Sequence, residues 1–290
     1  MTMRWLNRLL VLLTGLLLSS SVNASPIDLG QAADYTILAA GTVSISSSGG
    51  TLVLGSEAHV FGSAGGRGFV QTAGGVQIDE NLTGGTFSLS PGTTVGNPPP
   101  TQLSPADWNI IYQDMVAASA EASGLPDQTI INQIVSSTSL GVAGSGLSAY
   151  HVQGQFLLGS ADTLTITGGA SDRVVVNVDG GMDLASGAAI VMSGGIQPQN
   201  VLFNFTGGGY AQAVQIGAAN FSGIYLGPKM FFSIGDGATM TATQVLGSGI
   251  SGNIQDMTPP IPEPNTAVLV GLGLLGLAAR SRTRARAPSA

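Results

Sequence analysis

Few residues of this chain could do chemistry. The two histidines, His59 and His151, sit in β-rich segments beside Phe61 and Tyr150. Neither stands in a motif with a nucleophile, and among so many serines a chance Ser–His–Asp combination carries no information. Both therefore read as structural residues, at the surface or half-buried. Asp172, Asp179, Asp183 and Asp236 are the acids that could meet a cation, and Asp179-Gly-Gly-Met-Asp183 has the glycines of an oxygen-coordinating turn. The chain lacks the repeated glycine–aspartate nonapeptides of calcium-binding β-rolls. Capping of turns is the expected use of these acids, and no metal or cofactor is expected. A different chemistry is offered by Thr163-Leu-Thr165-Ile-Thr167 and Thr239-Met-Thr241-Ala-Thr243. Strand alternation puts all three threonines of each run on one side, making a small uncharged surface of hydroxyl and methyl groups. Threonine is also simply a good strand residue, so an ordinary solvent-facing edge would look the same.

Charge narrows the partners. Of 9 Lys and Arg, six lie near the chain ends, at Arg4, Arg8, Arg280, Arg282, Arg284 and Arg286. Only Arg67, Arg173 and Lys229 remain in the body, against nearly all of the 16 Asp and Glu. Such an acidic surface repels phosphate backbones and excludes nucleic acid as a partner. Three scattered cations also speak against a polysaccharide lyase, which needs clustered carboxylates beside an Arg or Lys base. With no cysteine there are neither disulfides nor thiolate metal sites. The body must hold itself together by backbone hydrogen bonds and packing, and it is long enough to do so.

The elements that would position these residues are mostly short strands. β-rich segments run from Thr42–Ser46 through Thr51–Leu54, His59–Phe61, Phe69–Thr72 and Val76–Ile78 to Thr86–Leu89, and resume from Gln155–Leu158 to Thr239–Val245. Glycine, serine and asparagine turns separate them, and many Gly-Gly pairs suit the corners of stacked coils. No strict period is visible. The interruption is a helix, with Ser104 as N-cap, Pro105 at the first helical position and Asp107 in the first turn. Trp108, Ile111, Tyr112, Met115, Val116 and Ser119 form its apolar stripe. Gly124-Leu125-Pro126 ends it, and Asp127 opens a second short helix through Val135, a helical insertion over about 104–135.

Both ends carry export signals. Met1–Arg8 holds two arginines, Leu9–Leu18 is nearly all leucine, and Val22-Asn-Ala24 ends in a small-x-small pattern. This is the layout of a signal peptide over residues 1–24, cut by signal peptidase after Ala24. At the other end, Pro262-Glu263-Pro264 precedes an apolar run within 266–279, and Arg280, Arg282, Arg284 and Arg286 follow. About 13 apolar residues span ~20 Å as a helix, short of the ~30 Å of a bilayer core, which suits a transient anchor. The arginines would hold the end on the cytoplasmic side. In motif order, segment 261–290 resembles the PEP-CTERM sorting tail of exosortase substrates. The resemblance implies that an exosortase-type membrane peptidase recognises the motif, cuts near it and releases the body, residues 25–260, to the cell surface.

The body has a resemblance of its own. Leu29-Gly-Gln-Ala-Ala-Asp-Tyr-Thr-Ile-Leu-Ala39 opens it, and Ser171-Asp-Arg-Val-Val-Val-Asn-Val178, Val191-Met-Ser-Gly-Gly and Asn200-Val-Leu-Phe-Asn204 follow in order. Phe221-Ser-Gly-Ile-Tyr-Leu226 and Phe232-Ser-Ile-Gly-Asp-Gly-Ala238 come next. The run is similar to the bacterial ice-binding-like β-solenoid domain and to the choice-of-anchor A surface proteins. That likeness implies a mainly β fold: an irregular right-handed β-solenoid with one long flanking helix, here with hydrophobic helices at both termini. It makes Thr163, Thr165, Thr167, Thr239, Thr241 and Thr243 a candidate ice-binding face. Neighbouring segments such as Val174–Val178 and Val201–Phe205 do not repeat the threonine pattern, and ice activity in that family is sporadic.

The resulting expectation is an exported, non-enzymatic surface or matrix protein with an adhesive or structural role. Ice binding is the first alternative and a carbohydrate-binding module the second, with exopolysaccharide or ice as partner. Only Trp108 remains as a body tryptophan, and the helix stripe claims it.

Overall fold

The computed structural model describes residues 25–41, 50–126, 128–142, 146–207 and 213–255. The expected signal peptide, the sorting motif, the apolar segment 266–279, both terminal hydrophobic helices and the Thr42–Ser46 segment lie outside the described residues. Ser25–Pro260 forms one compact unit.

The passes of chain before the helix supply β1 (Ile37–Ala39), β2 (Thr51–Leu54), β3 (His59–Val60), β4 (Ala64–Thr72), β5 (Gln77–Ile78), β6 (Leu82–Leu89), β7 (Thr94–Val95) and β8 (Thr101–Gln102). Helix α1 (Pro105–Ser123) follows. Beyond it come β9 (Thr129–Ile131), β10 (Thr138–Gly141), β11 (Leu147–Val152), β12 (Phe156–Leu158), β13 (Thr163–Thr167), β14 (Arg173–Val178), β15 (Met182–Leu184), β16 (Ala189–Ser193), β17 (Val201–Phe205), β18 (Val214–Ile216) and β19 (Asn220–Gln255), a long bonded run that winds through several passes.

The ladders joining these strands are parallel. Each strand must therefore find its partner a whole pass away. Leu147 pairs with Arg173, 26 residues on. Thr51 pairs with Phe69, only 18 on. Unequal passes explain why no fixed period shows in the sequence.

The main path runs β8-β6-β4-β1-β19-β17-β14-β11-β9. The first strand of the body thus sits in mid-stack, with Ile37 in register with both Val245 and Ala64. β2 is likewise held between residues 250–252 and β4. Helix α1 then returns the chain from β8 at one end to β9 at the other. Its 19 residues reach ~28 Å, about six strand spacings.

Two cores follow from this path. Inward side chains fill the centre of the stack, among them Leu52, Phe156, Val176, Phe203, Tyr225 and Phe232. The opposite side of the same strands meets α1 in a second core holding Leu38, Val175, Leu202, Ile224, Leu226 and Leu246. Two-sided burial is why β17 is buried at all five residues and reads as a continuous apolar run.

Helix α1 starts as its sequence predicts: the Ser104 hydroxyl accepts the Asp107 N–H, and Asp107 returns a bond to the Ser104 N–H. Its buried face is Trp108, Ile111, Met115, Ala118 and Ala122. The spacing of three and four leaves Tyr112, Val116 and Ser119 half-buried on the flank. The last turn is clamped from below. Asn177 donates to Ala122 O (2.8 Å) and Gln128 Oε1 (2.9 Å), and Asn204 donates to Ser119 O (3.0 Å) and Asn177 Oδ1 (2.7 Å). Ala122 is one of the last four helical residues, whose carbonyls a helix end leaves without an intrahelical partner.

The second helix expected over 127–135 is not formed. Thr129–Ile131 is a strand in register with Tyr150–Val152, and Ile134 bridges to Phe156. Two β-branched isoleucines beside an open ladder favour pairing over a short helix with no apolar stripe. At the far edge, Pro98-Pro99-Pro100 precedes β8 and offers no N–H to an incoming strand. Among the described residues no helix is long and apolar enough to cross a membrane.

Candidate functional site

The two histidines occupy the same local geometry. His59 is in register with Gln77, and its Nε2 lies 3.0 Å from Oδ1 of Asp79, two residues further on. His151 is in register with Asn177, and its Nε2 lies 2.8 Å from Oδ1 of Asp179, again two residues on. Gln77 adds a bond to Asp79 (2.8 Å) and Thr206 adds one to Asp179 (3.1 Å). Desolvation pushes the Asp79 carboxyl up, but the bonds from His59 and Gln77 and the His59 charge outweigh it and hold it below its ordinary value. The His59 ring also lies 3.6 Å from the Phe61 ring centroid. Each pair ties one pass to the next, and among the described residues no bond joins either histidine to a serine or threonine hydroxyl.

The aspartates divide. Asp172 caps a turn, accepting from the N–H groups of Gly169 (2.7 Å) and Gly146 (3.3 Å). Asp183 and Asp236 stand exposed. Among the described residues no three His, Asp or Glu side chains gather as metal ligands would.

The threonine runs share one face of the stack, though not as neighbours. Thr163, Thr165 and Thr167 reach solvent from β13. Beside them stand Ala189, Val191 and Ser193 of β16, and on the other side Ser139 and Gly141 of β10. Ala189 is in register with Asn220. Thr239 N–H then donates to Ala219 O (3.0 Å) as Asn220 N–H does to Ala188 O (3.1 Å), so Thr239 follows Asn220. Three ladder spacings, ~14 Å, therefore separate the two runs. Thr239 and Thr241 are exposed. Thr243 is fully buried, its hydroxyl donating to Phe221 O (3.2 Å) and Thr241 O (3.0 Å), and cannot touch an outside surface. Val174–Val178 and Val201–Phe205 do not flank the threonines in space. They lie under the helix.

A second outward face escaped sequence reasoning. Residues 250–252, β2, β4 and β6 lie side by side and place Ser251, Val53, Gln71 and Ser88 in one column. Thr51, Phe69 and Thr86 form the next column. None of these seven is charged. The signal was the alternation Thr51-Leu-Val53-Leu54, but its alignment with residue 251 depends on chain ends that meet only in the fold.

The comparisons with known proteins agree with this architecture. Residues 21–255 match the Ice-binding-like adhesive domain family, and residues 260–282 match the PEP-CTERM protein-sorting motif. An ice-binding protein of Flammulina populicola is 28% identical over 220 residues, which cover 73% of this chain and 80% of that protein. The structure of an ice-binding protein from an Arctic yeast aligns with a TM-score of 0.53 at 18% identity, covering 84% of this chain and 98% of that one. One from an Antarctic biological consortium aligns at 0.51 and 16% identity, over 80% and 89%. At such identities the structural likenesses show a shared fold. The family match spans most of the chain, and on it this protein belongs to the ice-binding-like adhesive domain family and carries a PEP-CTERM sorting motif at its C-terminal end.

Proposed function

We propose that the body is a non-enzymatic adhesive protein of the cell surface or extracellular matrix, and that the solid it adheres to is ice. Export follows from the N-terminal signal. Sorting by an exosortase-type peptidase follows from the C-terminal motif, with the body released at the cell surface. The passes are read as an irregular right-handed β-solenoid, one flank of which α1 covers.

One observation carries the ice reading: the uncharged columns Ser251–Val53–Gln71–Ser88 and Thr51–Phe69–Thr86 on adjoining parallel strands. Parallel strands hold such groups at a fixed repeat of ~4.8 Å. Rigidly spaced uncharged hydroxyl, amide and apolar groups can order a layer of water without attracting counter-ions. The ice-binding relatives support the reading. The threonine face is the second candidate surface, and Ala189 and Asn220 break its column.

The test is ice recrystallisation inhibition and thermal hysteresis by the compact Ser25–Pro260 unit. Val53→Tyr and Gln71→Tyr should each remove most activity, while Thr165→Tyr should leave it. Loss with Thr165→Tyr or Thr241→Tyr alone would move the contact to the threonine face. A folded but inactive unit would overturn ice as the ligand.

A further inference from the structure

Where β11 turns into β12, β14 into β15, and the chain enters β18, a groove of about 510 Å³ crosses three successive passes. Its depth has a simple cause. The residues just ahead of the registered Phe156, Met182 and Val214 shrink from Gln155 to Gly181 and Ala213. The neighbouring outward column, Leu157, Asp183 and Gln215, keeps its long side chains and forms a wall. Asp179, on the middle pass, is fixed by His151 and Thr206. No lysine or arginine is among the lining residues described.

We propose that this groove binds a neutral polysaccharide, lying across the strands with one sugar unit per pass. The passes repeat every ~4.8 Å, close to the length of one pyranose unit. The Asp183 carboxylate can accept from two adjacent hydroxyls, and the amides of Gln155 and Gln215 both donate and accept. Leu157, 39% exposed, offers an apolar surface to the C–H face of a ring. Asp179 and Asp183 at an acidic surface repel uronate and sulfate polymers. The site is independent of the ice reading, because Ser251, Val53, Gln71 and Ser88 belong to other passes.

The experiment is native affinity electrophoresis of the Ser25–Pro260 unit through gels containing hydroxyethyl cellulose, dextran or alginate. Retardation by a neutral polymer and none by alginate is expected. Asp183→Ala and Gln215→Ala should each weaken the interaction about tenfold, or ~1.4 kcal/mol. Gly180→Trp should block the groove, since a side chain there meets Gly154 O only at 3.9 Å. Should that variant fail to fold, the two alanine variants decide. No retardation by either neutral polymer, equal retardation by alginate, or retention unchanged in Asp183→Ala and Gln215→Ala would overturn the proposal. Ice recrystallisation inhibition should be unchanged in Asp183→Ala, so failure here is distinct from failure of the ice reading.

Discussion

The passes before α1 and those after it solve the same problem with different side chains. After the helix, β14 and β17 are packed with valine, leucine and phenylalanine because α1 covers their outer side. Before it, the corresponding strand segments are Ala64-Gly65-Gly66 and Leu82-Thr83-Gly84. Their cover is the N-terminal segment itself, which buries Ile27, Leu29, Ala32 and Tyr35. Tyr35 comes so near that a Cβ on Gly65 would meet its ring at 2.7 Å and Leu38 at 3.0 Å. Thr83 donates its hydroxyl to the Tyr35 hydroxyl at 3.2 Å. Burial has raised the Tyr35 hydroxyl above its usual titration range, partly offset by the Thr83 bond. A helix needs large residues beneath it, whereas a close-lying chain segment needs their absence.

The two arms also differ in self-sufficiency. The later arm builds its ladder from β9 through β19 without the earlier one, but β1 and β2 need residues 245–252 as partners. Truncation after Gln244 is the hardest way to break the comparison. Amide exchange should show protection lost at residues 37–39 and 51–54 and retained at 174–178. Equal loss in both arms would make the stack one cooperative unit and sink the distinction.

A smaller effect should fall on the covered face. Met115→Ala empties the centre of the helix interface, where Met115 is fully buried, and should cost about 2–5 kcal/mol in denaturant unfolding. The loss should appear together with faster exchange along β14 and β17. A cost below about 1 kcal/mol would mean that α1 is dispensable to the later arm.

The smallest change should be a gain. Glu57 holds φ 59° at a corner where Gly75 and Gly92 hold 78° and 83°. Glu57→Gly relieves a left-handed conformation that costs a side-chain residue roughly 1–2 kcal/mol, against a smaller entropic loss in the unfolded chain. The melting temperature should rise slightly or hold. A clear fall would show that the Glu57 side chain contributes something its exposure does not suggest.

Local structure was readable wherever a single segment decides it. The Ser104–Asp107 capping box, the Gly124 stop and the burial of Trp108 all depend on residues within one or two turns. The stripe drifted because Ala118 and Ala122 are too small to stand out as core residues in sequence. Thr129–Ile131 was misread because its partner, Tyr150–Val152, lies a pass away and decides in favour of a strand. Thr163, Thr165, Thr167, Thr239 and Thr241 reach solvent, whereas Thr243 turns inward to Phe221 O.

By itself the sequence determined composition, charge, the short-strand rhythm, the helix with its cap and the C-terminal PEP-CTERM motif. These rest on propensity, periodicity and the chemistry of adjacent residues. Only the tertiary structure decided which strands are neighbours. Passes of 18 and 26 residues erase any period, and the body's two ends meet in mid-stack, so Ser251 stands beside Val53. Contact surfaces on a stacked fold are columns across passes, and a column exists only once the register is set.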